Sequence, residues 1–298
     1  MILVRFLNYQ KICKKLSKKI PLNNMFESIL LTVDGSGRSR EMMNMLLQLP
    51  SMQRTQITIL HVIPMQATVE GVTEYRLAGE KILEKERAEL KLGVNNSSVA
   101  ILKEGDAKDI VCQIADQLKP NLLIMGSRGM GRLQSILNNS VSTYVFQLAS
   151  VPMLLVKDDV YIKSIRNVMV ALDGSPSGQH ALDQAIAIIS GLKDAAIYLT
   201  RVSKKKDDSD PVVDKAIEKL KRLNIPYKLF LGTGETGKEI CKAADESNTS
   251  LLVLGSPDRR PSIAKGIPDL DRLLGTSVSD YVRVNAPCPL ILTRLQES

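Results

Sequence analysis

The stretch Met125–Val141, MGSRGMGRLQSILNNSV, sets Gly126 and Gly129 three positions apart, with Ser140 eleven further on. Glycines at a strand end let the backbone approach a phosphate. A helix that follows supplies unpaired N–H groups and a positive dipole end. The chemistry on offer is therefore binding of an anion. A bare strand-to-helix turn explains the same glycines, and spacing alone leaves both readings open. A second stretch, GTGETGKE from Gly232 to Glu239, fits GxxxxGK but continues with Glu239. A phosphate loop needs a Ser or Thr hydroxyl there for Mg²⁺, and a carboxylate would repel the phosphates. GTGETGKE reads as a turn.

Nucleophilic and metal chemistry have little to build on. The two histidines, His61 in an apolar strand and His180 in a helix, have no Ser or Cys partner in a recognisable motif. Cys13, Cys112, Cys241 and Cys288 form no CxxC and have no histidine near them in sequence, so no zinc set and no metal site is expected. They read as thiols of a reducing cytoplasm. No catalytic residue is assigned.

These stretches sit in two related halves. ESILLTVDGSGRSREMMNMLLQL aligns with RNVMVALDGSPSGQHALDQAIAI, pairing Asp34 with Asp173; NLLIMGSRG aligns with SLLVLGSPD, pairing Gly126 with Gly255; Ser140 pairs with Ser277. The period is far longer than a solenoid repeat, so the chain is a duplicated domain, about 25–157 and about 163–298, joined near KDDVYIKSIR. In each half, short unbroken apolar runs alternate with helical periods. In the first they are SILLTV, a helix over about 38–49, QITILHV, a polar helix over about 73–91, VAILK, the helix AKDIVCQIADQL, NLLIMG, the helical period RLQSILNNSVSTYVFQLA, and PMLLVK. That order predicts an α/β fold, a doubly wound parallel sheet with helices on both faces. The second half repeats it with a shorter second helix. Ligands of such sheets bind beyond the carboxyl ends of the strands, where strand order reverses. Asp34 and Gly35 end strand one; Met125, Gly126 and Gly129 end strand four.

Charge narrows the partners. The net charge is +8, but Arg5, Lys11, Lys14, Lys15, Lys18 and Lys19 lie in residues 1–24 with no acid beside them. The body is nearly neutral and lacks the basic face of a nucleic-acid binder. No apolar run approaches the roughly 18 residues of a membrane span.

Together, DGS after strand one, HV at the end of strand two and GSRG…NSV after strand four resemble the universal stress protein (UspA-like) family, over about residues 25–298. In its pattern G-x2-G-x9-G-[S/T], Gly126, Gly129 and Ser140 match, and Asn139 takes the third glycine position. The resemblance implies a sheet order of 3-2-1-4-5 in each half. It implies that PMLLVK and PLILTR pair within one molecule as a pseudo-twofold dimer, with a further homodimer open. It implies an adenine-nucleotide site for ATP or AMP, with or without Mg²⁺. Asp34 would contact ribose, Thr32 and Val62 would lie against adenine, and Met125, Gly126, Gly129, Asn139, Ser140 and Val141 would surround ribose and phosphates. The second half keeps Asp173 and Gly255 but has Asp258 and Thr276 at the other glycine positions, with extra residues between. It reads as a degenerate half that supports the dimer; Arg259 or Arg260 reaching another anion is the rival reading.

Residues 1–24 lie outside the resemblance. Either translation starts at Met25, or Ile12, Leu16 and Ile20 line a basic amphipathic helix. The function expected is a cytoplasmic nucleotide-binding regulator of the stress response with an unidentified protein partner. The alternatives are an interaction module that binds no nucleotide, and a slow ATPase using Arg128 or Arg132.

Overall fold

The computed structural model describes residues 25–66, 68–127, 141–157, 162–203, 210–256 and 277–294. The first half runs β1 (Ser28–Thr32), α1 (Arg38–Leu46), β2 (Gln56–Ile63), α2 (Val69–Ala88), β3 (Ser97–Glu104), α3 (Ala107–Leu118), β4 (Leu122–Ser127), α4 (Val141–Leu148) and β5 (Met153–Lys157). The second runs β6 (Asn167–Ala171), α5 (Pro176–Ile189), β7 (Ala196–Val202), α6 (Pro211–Arg222), β8 (Tyr227–Gly232), α7 (Thr236–Glu246), β9 (Leu251–Gly255), α8 (Val278–Asn285) and β10 (Leu290–Thr293).

The described strands join in one ten-stranded sheet, β3-β2-β1-β4-β5-β10-β9-β6-β7-β8. The order 3-2-1-4-5 therefore occurs twice, as expected. All pairs are parallel except β5 with β10, which meet antiparallel with Leu290 opposite Leu155 and Leu292 opposite Met153. The central strands are apolar on both faces because helices cover both. One core joins Leu31 and Met43 to Val170 and Ile188; the other joins Leu123 and Phe146 to Leu252 and Val282. Each core crosses from one half to the other, so the halves share a single body.

Three helix ends differ from the expected ones, α2 closing at Ala88 with Glu89 as its C-cap rather than near residue 91. α1 stops at Leu46, because the chain turns there into a short 3₁₀ stretch at Pro50–Met52. α2 starts at Val69, because the Thr68 side chain caps it by accepting a hydrogen bond from the Gly71 N–H at 3.1 Å.

A reciprocal clasp closes the seam. Lys157, the last residue of β5, donates to the Val284 and Ala286 carbonyls at 2.8 and 2.6 Å, at the end of α8. Arg294, just past β10, donates to the Phe146, Gln147 and Ala149 carbonyls at the end of α4. Both cations are buried. Each satisfies helix C-terminal carbonyls that have no intrahelical partner and meets the negative end of the dipole.

Candidate functional site

The β1 end builds the first wall. Asp34 accepts a hydrogen bond from the Ser36 N–H at 2.9 Å, and Gly35 takes a φ of 86°. Asp173, Ser175 and Gly174 repeat the same turn, with 2.9 Å and 84°. DGS is thus first a turn that only a residue tolerant of positive φ can complete. Partial burial works to raise the Asp34 pKa, but hydrogen bonds from Ser36 and the Arg38 charge hold it below the usual carboxylate range. A depressed carboxylate pKa adds stability above the unfolded value near pH 4 and loses it as pH falls through the folded value. Asp34→Asn is therefore expected to flatten part of the acid limb of the urea midpoint below about pH 5. An acid limb identical to wild type would refute that role.

β2 supplies the second wall. The Val33 N–H bonds to the Leu60 carbonyl at 3.0 Å, and the Gly105 N–H bonds to the Ile63 carbonyl at 3.0 Å on the other side. Strand alternation then turns the N–H and C=O of Val62 toward β1, beyond its last paired residue. A donor and an acceptor stand side by side at the crevice. His61, facing β3, fixes the strand end instead: its Nδ1 lies 2.8 Å from the Val33 carbonyl.

β4 supplies the floor. Its register sets Leu31 beside Ile124, so Met125 falls beside Thr32, the last residue of β1, and Gly126 continues past it. Val62, Met125 and Val141 pack on the same apolar cluster. The register of β1, β2 and β4 sets Asp34, Val62, Met125 and Gly126 at the same carboxyl edge of the sheet, and Val141 begins α4. Gly129, Asn139 and Ser140 lie outside the described residues, as do Arg128, Arg132, Asp258, Arg259, Arg260 and Thr276. Thr32, the last residue of β1, is fixed by the sheet. It is buried, and its hydroxyl donates to the Ile124 carbonyl at 3.1 Å, tying β1 to β4.

Duplication continues into the site. The family model described as the Universal stress protein family matches residues 25–157 and again 164–294. The chain belongs to the universal stress protein family. It is 30% identical over 151 residues to the universal stress protein YxiE of Bacillus subtilis, covering 45% of this chain and 100% of that relative. A universal stress protein of Archaeoglobus fulgidus shares the fold across both halves, with a TM-score of 0.71, 21% identity, and 92% of this chain and 99% of that one covered. A universal stress protein family protein from Arabidopsis thaliana was solved with AMP bound; it is 21% identical, with a TM-score of 0.33, covering 43% of this chain and 91% of that one.

In the second universal stress protein domain the counterparts of these residues line a cavity of about 380 Å³, with Asp173, Val202, Leu254, Gly255, Ser277 and Val278 in its wall. Arg201 takes the place of His61 and makes the same tie, donating from Nη1 to the Leu172 carbonyl at 3.1 Å while its Nε bonds Asp210 at 2.7 Å. A larger cavity of about 550 Å³, between α1 and the end of β5, is lined by Arg38, Lys91, Lys157 and Lys163. It lies off the crevice, and the Lys157 ammonium is already committed to the α8 carbonyls.

The Walker-like stretch is a strand-to-helix turn, as expected. β8 ends at Gly232, Glu235 is the N-cap of α7, and Lys238 pairs with Glu235 at 2.8 Å. A Cβ on Gly237 would come 2.7 Å from the Tyr281 ring, so that glycine serves the contact between α7 and α8. Cys112, Cys241 and Cys288 form no disulfide. Burial pushes the Cys241 and Cys288 thiols up to about 11 and about 12, so neither is a nucleophile at neutral pH. Among the described residues no group of His, Cys, Asp or Glu is placed to hold a metal ion, and no helix is long and apolar enough to cross a membrane.

Proposed function

We propose that the first half binds an adenine nucleotide, ATP or AMP, and that the protein is a nucleotide-responsive regulator of the stress response. The reading is supported by the strand-order reversal, where Val62 turns its N–H and C=O toward β1 past the last paired residue on one side and Gly126 ends β4 on the other, with the Asp34 turn following β1 between them. A backbone donor and acceptor side by side match the exposed edge of adenine, which offers an amino donor beside a ring-nitrogen acceptor. Asp34 would accept from a ribose hydroxyl. The first turn of α4 holds no acid, which leaves that helix start suited to phosphate. Mg²⁺ would then be brought by the nucleotide rather than by a protein ligand set.

Labelled ATP and AMP titrated into the full chain, with and without Mg²⁺, test this. Asp34→Ala and Gly126→Val should each weaken binding by at least about tenfold, the loss of one good polar contact or the filling of the approach. Lys238→Ala, in the Walker-like turn, should leave affinity unchanged. Unchanged binding in both crevice variants would refute the site assignment. Absence of any nucleotide binding would support the second reading, an interaction module, which the closed DGS turn and the committed Thr32 hydroxyl favour.

A further inference from the structure

The two halves pack their first helices differently, and a cavity opens where they differ. With Asp34 paired to Asp173, Arg38, Met45 and Gln48 fall opposite Ser177, Gln184 and Ala187. The three residues of the second half are buried, and none of the three in the first half is. Clearance explains the difference. α5 presses so closely on β9 that a Cβ on Gly255 would meet the Gly178 nitrogen at 2.3 Å, whereas one on Gly126 would stop 3.5 Å from the Ser39 Oγ of α1. α1 also ends at Leu46, while α5 runs a full turn further, to Ile189. The space between α1 and the end of β5 therefore stays open, as the cavity of about 550 Å³.

The floor of this cavity is apolar and its rim is cationic. Met42, Val156 and Pro289 are buried in its lining, and Met45 and Ile162 are half-buried there. Flexible thioether side chains adapt to the shape of an apolar ligand. Lys91 and Lys163 reach the same cavity from two separate segments; both are exposed, and neither has an ion pair among the described residues. α1 itself holds Lys91 in place: the Asn44 side chain accepts from the Lys91 N–H at 2.8 Å and donates to the Glu89 carbonyl at 3.0 Å. Arg38 and Lys157 add positive charge to the lining, and Glu41 is its one acid among the described residues. Asp158 and Asp159, next in the sequence, lie outside the described residues, and recognition of an anion rests on Lys91 and Lys163.

We propose that this cavity binds a small amphiphilic carboxylate, an apolar chain that carries one acid group. The chain would lie on Met42, Met45, Val156 and Ile162, with the acid at Lys91 and Lys163. The volume falls in the range of small-molecule sites, and an apolar wall with a few placed charges is their usual make-up. A ligand there touches α1, β5 and the segment that enters the second half at once, so its binding free energy adds to the stability of the seam. The site is independent of the nucleotide reading, since neither Asp34 nor Gly126 lines it.

Calorimetric titration of octanoate into the full chain tests this. Octanoate should bind saturably, one per chain. Octanol, which has the chain without the charge, and acetate, which has the charge without the chain, should each bind at least about tenfold more weakly. Lys91→Glu and Lys163→Glu should each weaken octanoate by about fivefold, and the double variant by more. Lys221→Glu, an exposed charge reversal on α6, should leave its affinity unchanged. Met45→Trp, which fills the wall, should weaken octanoate and octanol alike. Both lysines are exposed, so the charge variants should keep the wild-type melting temperature, which thermal melting checks. Saturating ATP should leave octanoate bound. No saturation by about 3 mM would overturn the site. So would octanol binding as tightly as octanoate, wild-type affinity in the double lysine variant, or displacement of octanoate by ATP.

Discussion

Arg294→Ala is expected to cost the fold about 3 kcal/mol, because it strands three buried helix-end carbonyls at roughly 1 kcal/mol each. The side chain is 6% exposed and reaches the Phe146, Gln147 and Ala149 carbonyls, so little water can take its place. The melting temperature should fall by roughly 5 °C or more. Arg294→Lys should recover part of the loss, since an ammonium keeps the charge at the dipole end but cannot fork across three acceptors. Arg222→Ala is the control: its pair with Glu218 is exposed at 3.8 Å and is worth at most about 0.5 kcal/mol. Urea unfolding at constant m-value measures all three. A loss below about 1 kcal/mol for Arg294→Ala would show that the seam does not depend on the clasp. Lys157→Met should act in the same direction with a smaller loss, since two carbonyls rather than three are stranded.

The second large effect separates two glycines that the repeat makes equivalent. A Cβ on Gly255 would lie 2.3 Å from the Gly178 backbone nitrogen and 2.5 Å from the Ser177 carbonyl carbon. Backbone cannot swing aside as a side-chain tip can, so Gly255→Ala must push α5 away from β9. The expected cost is about 2–3 kcal/mol, typical of overpacking in a rigid core. At Gly126 the nearest atom to a Cβ would be the Ser39 Oγ at 3.5 Å, an ordinary contact. Gly126→Ala should therefore change stability by no more than about 0.5 kcal/mol, with a small gain from reduced unfolded-state freedom. Equal unfolding midpoints for the two alanine variants would refute this account. The comparison bears on function as well. Gly255 has a packing reason to be glycine whether or not a ligand binds, whereas among the described residues only the Ser39 Oγ comes near a Cβ at Gly126.

Several features were legible from residue order. The apolar runs SILLTV, QITILHV, NLLIMG and PMLLVK each became strands because an unbroken apolar run suits a strand covered on both faces. AKDIVCQIADQL became α3 over Ala107–Leu118, with Asp106 as its cap. The start of α2 was harder to place, since a cap acts through one side-chain bond from Thr68 and leaves no periodic trace. In the crevice, Asp34 and Gly126 could be singled out by type and position. The value of Val62 lies in its backbone, which no side-chain pattern encodes.

The sequence by itself determined the duplication, the alternation of strand and helix in each half, and the strand ends at which a ligand could sit. These follow from local burial periodicity and from the comparison of one half with the other. Only the tertiary structure decided how the halves become one sheet. Arg294 meets the Phe146 carbonyl across 148 positions, and Lys157 meets Ala286 across 129. It also revealed the cavity of the second half behind a motif that reads as degenerate. The physical reason is one of range. Burial patterns repeat within a few residues, whereas the partner of a buried cation, the clearance around a glycine and the occupant of a helix start depend on the register of segments that are far apart in the chain.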